Sequence, residues 1–220
     1  WIKSRSAAYS NRLFDSVRGA AKRIMSNSTD AEATAIDELT AFGSNGFTLS
    51  NGVGVNQSSS TYVAWNWKAG GAAVSNTDGT ITGQVSANVD AGFSISKFTI
   101  PSSGSSVTVG HLLSSSPQIL IVKTTDKAGS WFVYTETTGA SKEAYLELPN
   151  AFGVDVNRWA NTAPTSSVFT LGSSWLNATY SGGAIAYCFH SVDGFSKIGS
   201  YTGTGASSNT IVTGFKPAFV

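Results

Sequence analysis

The fold is decided by "TYVAWNWKAGG" (Thr61–Gly71), read against "GAIAYCFHSVDG" (Gly183–Gly194). Both are short apolar runs with a large residue at every second place, and both are closed by glycine. A period of two is the signature of a strand, because successive side chains point to opposite faces of a sheet. Val63, Trp65 and Trp67 then share one face, as do Ile185, Tyr187 and Phe189 in the second run. These large residues are expected to enter the core. The alternate face carries Ala64, Asn66 and Lys68 against Ala186, Cys188 and His190, and is expected to be packed at one end and wetter at the other.

The likeness of the two runs extends along the chain, as a search for internal repeats shows. "WIKSRS" (1–6) aligns with "IVKTTD" (121–126), with Lys3 on Lys123. Gly19-Ala20 falls on Gly139-Ala140, "GFTLS" (46–50) on "VFTLG" (168–172), and "YVAWNWK" (62–68) on "AIAYCFH" (184–190). "DAGFSISKFTI" (90–100) then aligns with "DGFSKIGSYTG" (193–203), and "VTVGHLLSSSPQILIVK" (107–123) with "IVTGFKPAFV" (211–220). Residues 92–194 therefore read as one complete unit. Residues 1–71 read as a copy without its opening strands, and 195–220 as the opening strands of a further copy. The stretch 72–89 has no counterpart, so 72–91 is expected to be a linker or small hairpin. Segment 195–220 is expected to complete 1–71, within one chain or between neighbours, with 214–220 pairing beside 1–5. The chain opens at Trp1 in mid-pattern, as expected of a segment with more sequence upstream.

Turn residues separate many further short strands at close spacing, which reads as an all-β antiparallel sandwich or barrel. Gly199 is expected to mark a β-bulge. Only "STDAEATAIDEL" (28–39) looks helical, and it reads equally well as a loop with one helical turn. Its acidic residues are then solvated, or neutralise the basic N-terminal strands, where Lys3, Arg5, Arg12, Arg18, Lys22 and Arg23 gather.

Composition narrows the function classes. Charged residues make up 12% of the 220, about half the usual share, and Gly, Ser, Thr and Asn fill the deficit. Such a neutral, hydroxyl-rich surface suits an extracellular or particle-bound β protein. A net charge of +1 supplies no field to recruit nucleic acid or an acidic membrane. No apolar run approaches the ~20 residues of a membrane-spanning helix. Cys188 stands alone, so no intrachain disulfide forms, and its alternating run marks it as a small buried hydrophobe.

Candidate chemistry is thin. His111 and His190 are isolated, and a metal needs several converging ligands. Asp90 and Asp193 each precede a turn residue, where Asp is favoured for backbone reasons. A glycosidase needs two facing carboxylates, for which Glu136 with Glu143 or Glu147 is the available pair. No catalytic, cofactor-binding or metal-ligating residue is expected. Surface recognition remains: Trp159, Asn161, Trp175, Asn177 and Tyr180 are the candidate ligand-binding set, since aromatic faces beside amides suit the C–H faces and O–H edges of sugars. The bland reading of the same tryptophans is that they cap the core.

Taken together, "WIKSRS", "TYVAWNWKAGG", "VSNTDGTITGQVSAN", "YLEL", "SSVFTLG", "GFSKIGSYTG" and "TGFKPAFV" resemble a repeat family of structural proteins in marine tailed phages of cyanobacteria and pelagic bacteria. The resemblance spans essentially the whole chain and is specific only in aggregate. It implies a jelly-roll or concanavalin-like sandwich in two tandem or permuted copies. It also implies a virion protein: a tail-fibre or appendage module that binds host-surface polysaccharide without catalysis, or an architectural capsid or tail piece that assembles by strand sharing. Other virion proteins and further copies of itself are the implied partners. No nucleic acid, membrane insertion or cofactor is implied. The family carries no catalytic residues to transfer.

Overall fold

The computed structural model describes residues 1–220, and its regular structure is almost wholly antiparallel strand. In chain order they are β1 (Ile2–Ser4), β2 (Arg12–Leu13), β3 (Lys22–Met25), β4 (Ala33–Thr34), β5 (Leu39–Gly43) and β6 (Gly46–Leu49). A single helical turn, α1 (Val53–Asn56), precedes β7 (Tyr62–Ala64). There follow β8 (Val74–Asn76), β9 (Gly83–Asn88), β10 (Phe93–Ile100), β11 (Ser106–Gly110), β12 (Ile119–Thr124) and β13 (Phe132–Thr135). The last four are β14 (Lys142–Tyr145), β15 (Gly153–Val154), β16 (Val168–Gly172) and β17 (Gly182–Phe189).

The internal repeat reappears as topology. The first half forms a five-stranded sheet in the order β4-β3-β2-β1-β7. The second half repeats that order as β15-β14-β13-β12-β17, then continues through β10, β9 and β8 to eight strands. Even the register is kept. Ile2 stands opposite Ala64, and their aligned residues Val122 and Ala186 stand opposite each other. Gly19 and Gly139 both have positive φ at the turn into the third strand, a conformation that glycine adopts without strain. Residues 72–91 supply the β8–β9 hairpin, which lengthens the larger sheet by pairing Gly83–Asn88 against Phe98–Phe93.

Each sheet carries a small lid. In the complete copy β16 pairs with β11. Its counterpart β6 has no such strand ahead of it, and pairs instead with β5. Three apolar clusters result. The largest lies between the eight-stranded sheet and its lid and includes Val122, Phe132, Phe169, Leu171, Trp159 and Trp175. A smaller one, with Ile2, Phe14, Leu39 and Val55, lies under the first lid. Between the two sheets a third cluster joins Leu13 and Ile24 to Phe93, Ile95, Trp131, Ile185 and Tyr187. Burial of each large side chain there contributes about 1.5–3 kcal/mol.

Strand β17 is enclosed on both faces. Ala184, Ala186 and Cys188 are wholly buried in the largest cluster, while Ile185 and Tyr187 are buried in the seam between sheets. The face expected to be wetter at its end is thus closed as far as Cys188, because the lid and its tryptophans lie over it. Burial pushes the Cys188 thiol up to about 12. In the first copy the expectation fails in the other direction. Trp67, expected in the core, is 47% exposed, because β7 ends its sheet and has no neighbour on its far side.

The seam also holds a buried polar network. Asp15 accepts hydrogen bonds from Arg18 Nε at 2.5 Å and from the Tyr187 hydroxyl at 2.7 Å. Arg18 further donates to the Lys22 and Leu13 carbonyls and to Glu32. Burial opposes the charge on Arg18, but Tyr187, Asp15 and Glu32 outweigh it and raise its pKa. Burial, then Asp15, raises the Tyr187 phenol well above its ordinary value, so it remains a donor.

Residues 28–39 are not helical. They are extended and turned around β4, because their backbone is used elsewhere: Glu32 N–H donates to the Thr125 carbonyl and Gly129 N–H to the Thr29 carbonyl. The Trp131 indole donates to Met25 and Ser28 carbonyls, and the buried Lys123 ammonium to those of Thr29 and Thr124. Burial draws that ammonium down to about 8. Glu32 and Glu38 neutralise Arg18, Lys22, Arg12 and Arg23, the second of the two roles expected for acidic residues here.

Residues 195–220, expected to be opening strands with a bulge at Gly199, contain no strand. They leave from β17, whose two edges are already taken by β10 and β12, so no adjacent edge is open to them. No backbone bond joins 214–220 to 1–5; the Phe219 ring lies 6.5 Å from that of Trp65.

Removing one hydroxyl tests the seam. Tyr187→Phe leaves a buried carboxylate short of one donor and is expected to lower stability by about 1.5–3 kcal/mol in urea titration. Tyr9→Phe, which loses an exposed bond to Gln57, is expected to change it by less than about 0.5 kcal/mol.

Candidate functional site

A concavity opens beside Trp65 and Trp67, where β7 ends the first sheet. It is a cavity of about 760 Å³, within the ~300–1,000 Å³ typical of ligand pockets. Seventeen of its 25 lining residues are hydrophobic, so its contents must be largely apolar. One wall is the seam side of the larger sheet, with Phe93, Ile95, Ile121, Tyr187 and Phe189; the other is Trp1, Leu13, Trp65 and Trp67, and the β5–β6 turn hangs over both with Phe42 and Phe47.

Aromatic rings cross from one copy to the other. Phe93 lies 4.8 Å from Phe189, Phe189 lies 6.3 Å from Trp67, and Trp1 lies 6.4 Å from Trp67 and 6.2 Å from Trp65. These separations suit tilted and edge-on aromatic contact. Polar groups line only parts of the wall: Asp15, Ser16, Ser44, Asn45, Asn66 and Lys68. The Asp15 carboxylate is already committed to Arg18 and Tyr187. The arrangement can hold flat or extended apolar groups and offers few directional contacts.

The residues nominated from sequence lie elsewhere. Trp159 and Trp175 are 1% and 0% exposed, so neither presents a face to solvent. Trp159 donates its indole N–H to the Lys142 carbonyl. With Phe132 and Tyr180, Trp175 surrounds Arg158, whose guanidinium carbon lies 3.6 Å from the Phe132 ring centre, 5.1 Å from Trp175 and 5.3 Å from Tyr180. Arg158 Nε donates to Glu143 at 2.5 Å, so a buried cation takes a carboxylate on one side and aromatic faces on the other. Asn177 is a turn residue whose side chain accepts from the N–H groups of Thr179 and Tyr180. Asn161 sits exposed in a left-handed turn at φ 47. The expected sugar platform is therefore an internal wall with two turn residues beside it.

The three glutamates are not brought to a shared cleft. Glu143 is held by Arg158 and by the Tyr145 hydroxyl, Glu147 accepts the Trp131 N–H, and Glu136 accepts from Gln118. None of them lines the cavity. No three His, Cys, Asp or Glu side chains come together. His190 contacts the Ser191 carbonyl through Nδ1. His111 is wholly buried, with Nδ1 accepting the Leu113 N–H and Nε2 3.2 Å from the Thr165 carbonyl. The proton must then sit on Nε2. Burial pulls the ring down to about 4.

The cavity residues were missed because Trp65 and Trp67 looked like core. An alternating run reads the same on a strand that ends a sheet as on one enclosed within it, so no local signal marked them.

Fold and cavity together define an all-β protein of two sandwich copies fused back to back, with an aromatic cleft at the seam. The chain belongs to the family described as a domain of unknown function (DUF7483), which matches residues 1–220. No curated protein and no solved structure matches it.

Two outcomes test this description. An apolar fluorescent dye such as anilinonaphthalene sulfonate is expected to bind the folded chain, with Trp67→Lys weakening it about tenfold and Trp159→Phe leaving it unchanged. His111 also imposes a pH dependence. Its folded value lies below the ordinary ~6.5, so the unfolded chain binds the proton first. Stability is full above about pH 6.5 and falls as pH drops toward about 4, by up to roughly 3 kcal/mol. Urea titrations across that window check this, and His111→Asn is expected to flatten the slope.

Proposed function

We propose that this chain is a non-enzymatic structural module of a phage particle, built into a tail fibre or similar appendage. The observation that carries this reading is the fusion of the two copies. Their equivalent faces are joined by an apolar cluster, a buried Asp15–Arg18–Tyr187 network and cross-copy backbone bonds, which suits a stiff spacer bearing load along an appendage. The sequence resemblance supplies the particle. The low charge and hydroxyl-rich composition support an exterior setting.

Of the readings weighed from sequence, the architectural one gains most support, because Trp159 and Trp175, nominated for host glycan contact, are enclosed. The depolymerase reading gains less support, because Glu136, Glu143 and Glu147 are each engaged by separate partners. Purified particles of the source phage test the proposal. Peptides of this chain are expected at a fixed multiple of the major tail protein, and antibody against it is expected to decorate appendages in electron micrographs. Its absence from gradient-purified particles would overturn the reading.

A further inference from the structure

We propose that Asn45, at the tip of the β5–β6 hairpin, is a site of self-modification: the amide nitrogen of Gly46 closes on its side chain, ammonia is lost, and the ring reopens to aspartate and isoaspartate. This goes beyond the structural-module reading and does not depend on it. The reaction needs no partner but water. The Gly46 nitrogen attacks Asn45 Cγ, the N–Cγ bond forms, and the Cγ–Nδ2 bond breaks. Ammonia departs with the proton of the Gly46 amide. Water then adds to one or the other carbonyl of the cyclic imide. One opening gives aspartate, and the other gives a main chain that runs through the former side chain.

The chemistry asks for glycine as the following residue, because a Cβ there crowds the ring. It also asks for a backbone free to swing the amide nitrogen onto Cγ. Two Asn-Gly pairs occur, Asn45-Gly46 and Asn51-Gly52, and the fold separates them. Gly52 is buried, its N–H donates to the Asp37 carbonyl at 2.6 Å, and its own carbonyl accepts from Val55 and Asn56. A Cβ at Gly52 would collide with the Asp37 carbonyl, so the backbone there has no room to turn. Asn51 is therefore held out of reaction by its neighbour.

Asn45 has no such restraint. Every residue from Thr40 to Thr48 is exposed, and nothing lies within 4 Å of where a Gly46 Cβ would stand. Strands β5 and β6 pair only with each other, and a two-stranded hairpin is marginal by itself. Leu39 anchors its base in the first copy's core, but the pair that closes its tip is Gly43 opposite Gly46. Two glycines supply no cross-strand side-chain contact, so the tip opens at little cost. Asp78-Gly79 and Asp193-Gly194 reach the same ring only by expelling water from a carboxyl group, a slower step. Asn45 lines the aromatic cleft, so its conversion sets a new negative charge on the lip of that cleft, and isoaspartate lengthens the turn by one backbone atom.

The experiment is made on the folded 220-residue chain, kept in mildly alkaline buffer made with oxygen-18 water and sampled over days by peptide mapping. Heavy oxygen is expected at position 45, in a mixture of aspartate and isoaspartate. It should enter about tenfold or more faster than at position 51, the factor that one buried hydrogen bond can supply. In concentrated urea the two positions should react at similar rates, because the selectivity belongs to the fold. Gly46→Ala places its Cβ in open space and is expected to keep the circular dichroism spectrum while abolishing the preference for position 45. Label entering the folded chain at position 51 as fast as at 45 would overturn the proposal. So would an Asn45 that stays intact in the folded chain and reacts only in urea, since the hairpin would then hold its tip closed.

Discussion

Strand β17 leaves nothing free. Both edges are hydrogen-bonded, and both faces are buried from Ala184 to Cys188. A strand so enclosed must carry small residues where a lid presses on it and large ones where a wider gap must be filled. That is why Ala184, Ala186 and Cys188 alternate with Ile185, Tyr187 and Phe189. It also explains the tail: a chain leaving a strand with no open edge cannot turn back and pair beside it.

Two buried arginines show how a charge-poor protein handles cations. Arg18 is held by Asp15, Glu32 and carbonyls, and its network reaches across the seam to Tyr187. Arg158 lies within one copy, between Glu143 and a ring of aromatic faces. In each case a single lost partner leaves a charge without compensation in a dry site, which is costly. The first network makes the two copies one body. The second determines where Trp175 and Tyr180 must stand.

Much of this was legible in the sequence, and the rest was hidden for physical reasons. Alternation and turn spacing reported the antiparallel sandwich, and the repeat anticipated two related units, which the structure shows with one shared strand order. Local pattern left 28–39 open between helix and loop, and backbone bonds to Thr125 and Gly129 decide for the loop. It failed at Trp159 and Trp175, because a tryptophan beside Asn and Ser looks the same whether its ring points inward or outward. Arg158, 17 to 26 residues away from the aromatics it meets in space, gave no local sign of doing so. The cleft was invisible because it lies between the two sheets, which no local pattern sets side by side.

Cys188 has a consequence of its own. Its thiol is fully enclosed and pushed up to about 12, so almost none of it is thiolate, the form that attacks disulfides and oxidants. The only sulfur able to form a bridge is therefore chemically silent. The fold accordingly uses no disulfide, and its packing around β17 is the same whether the surroundings are reducing or oxidising.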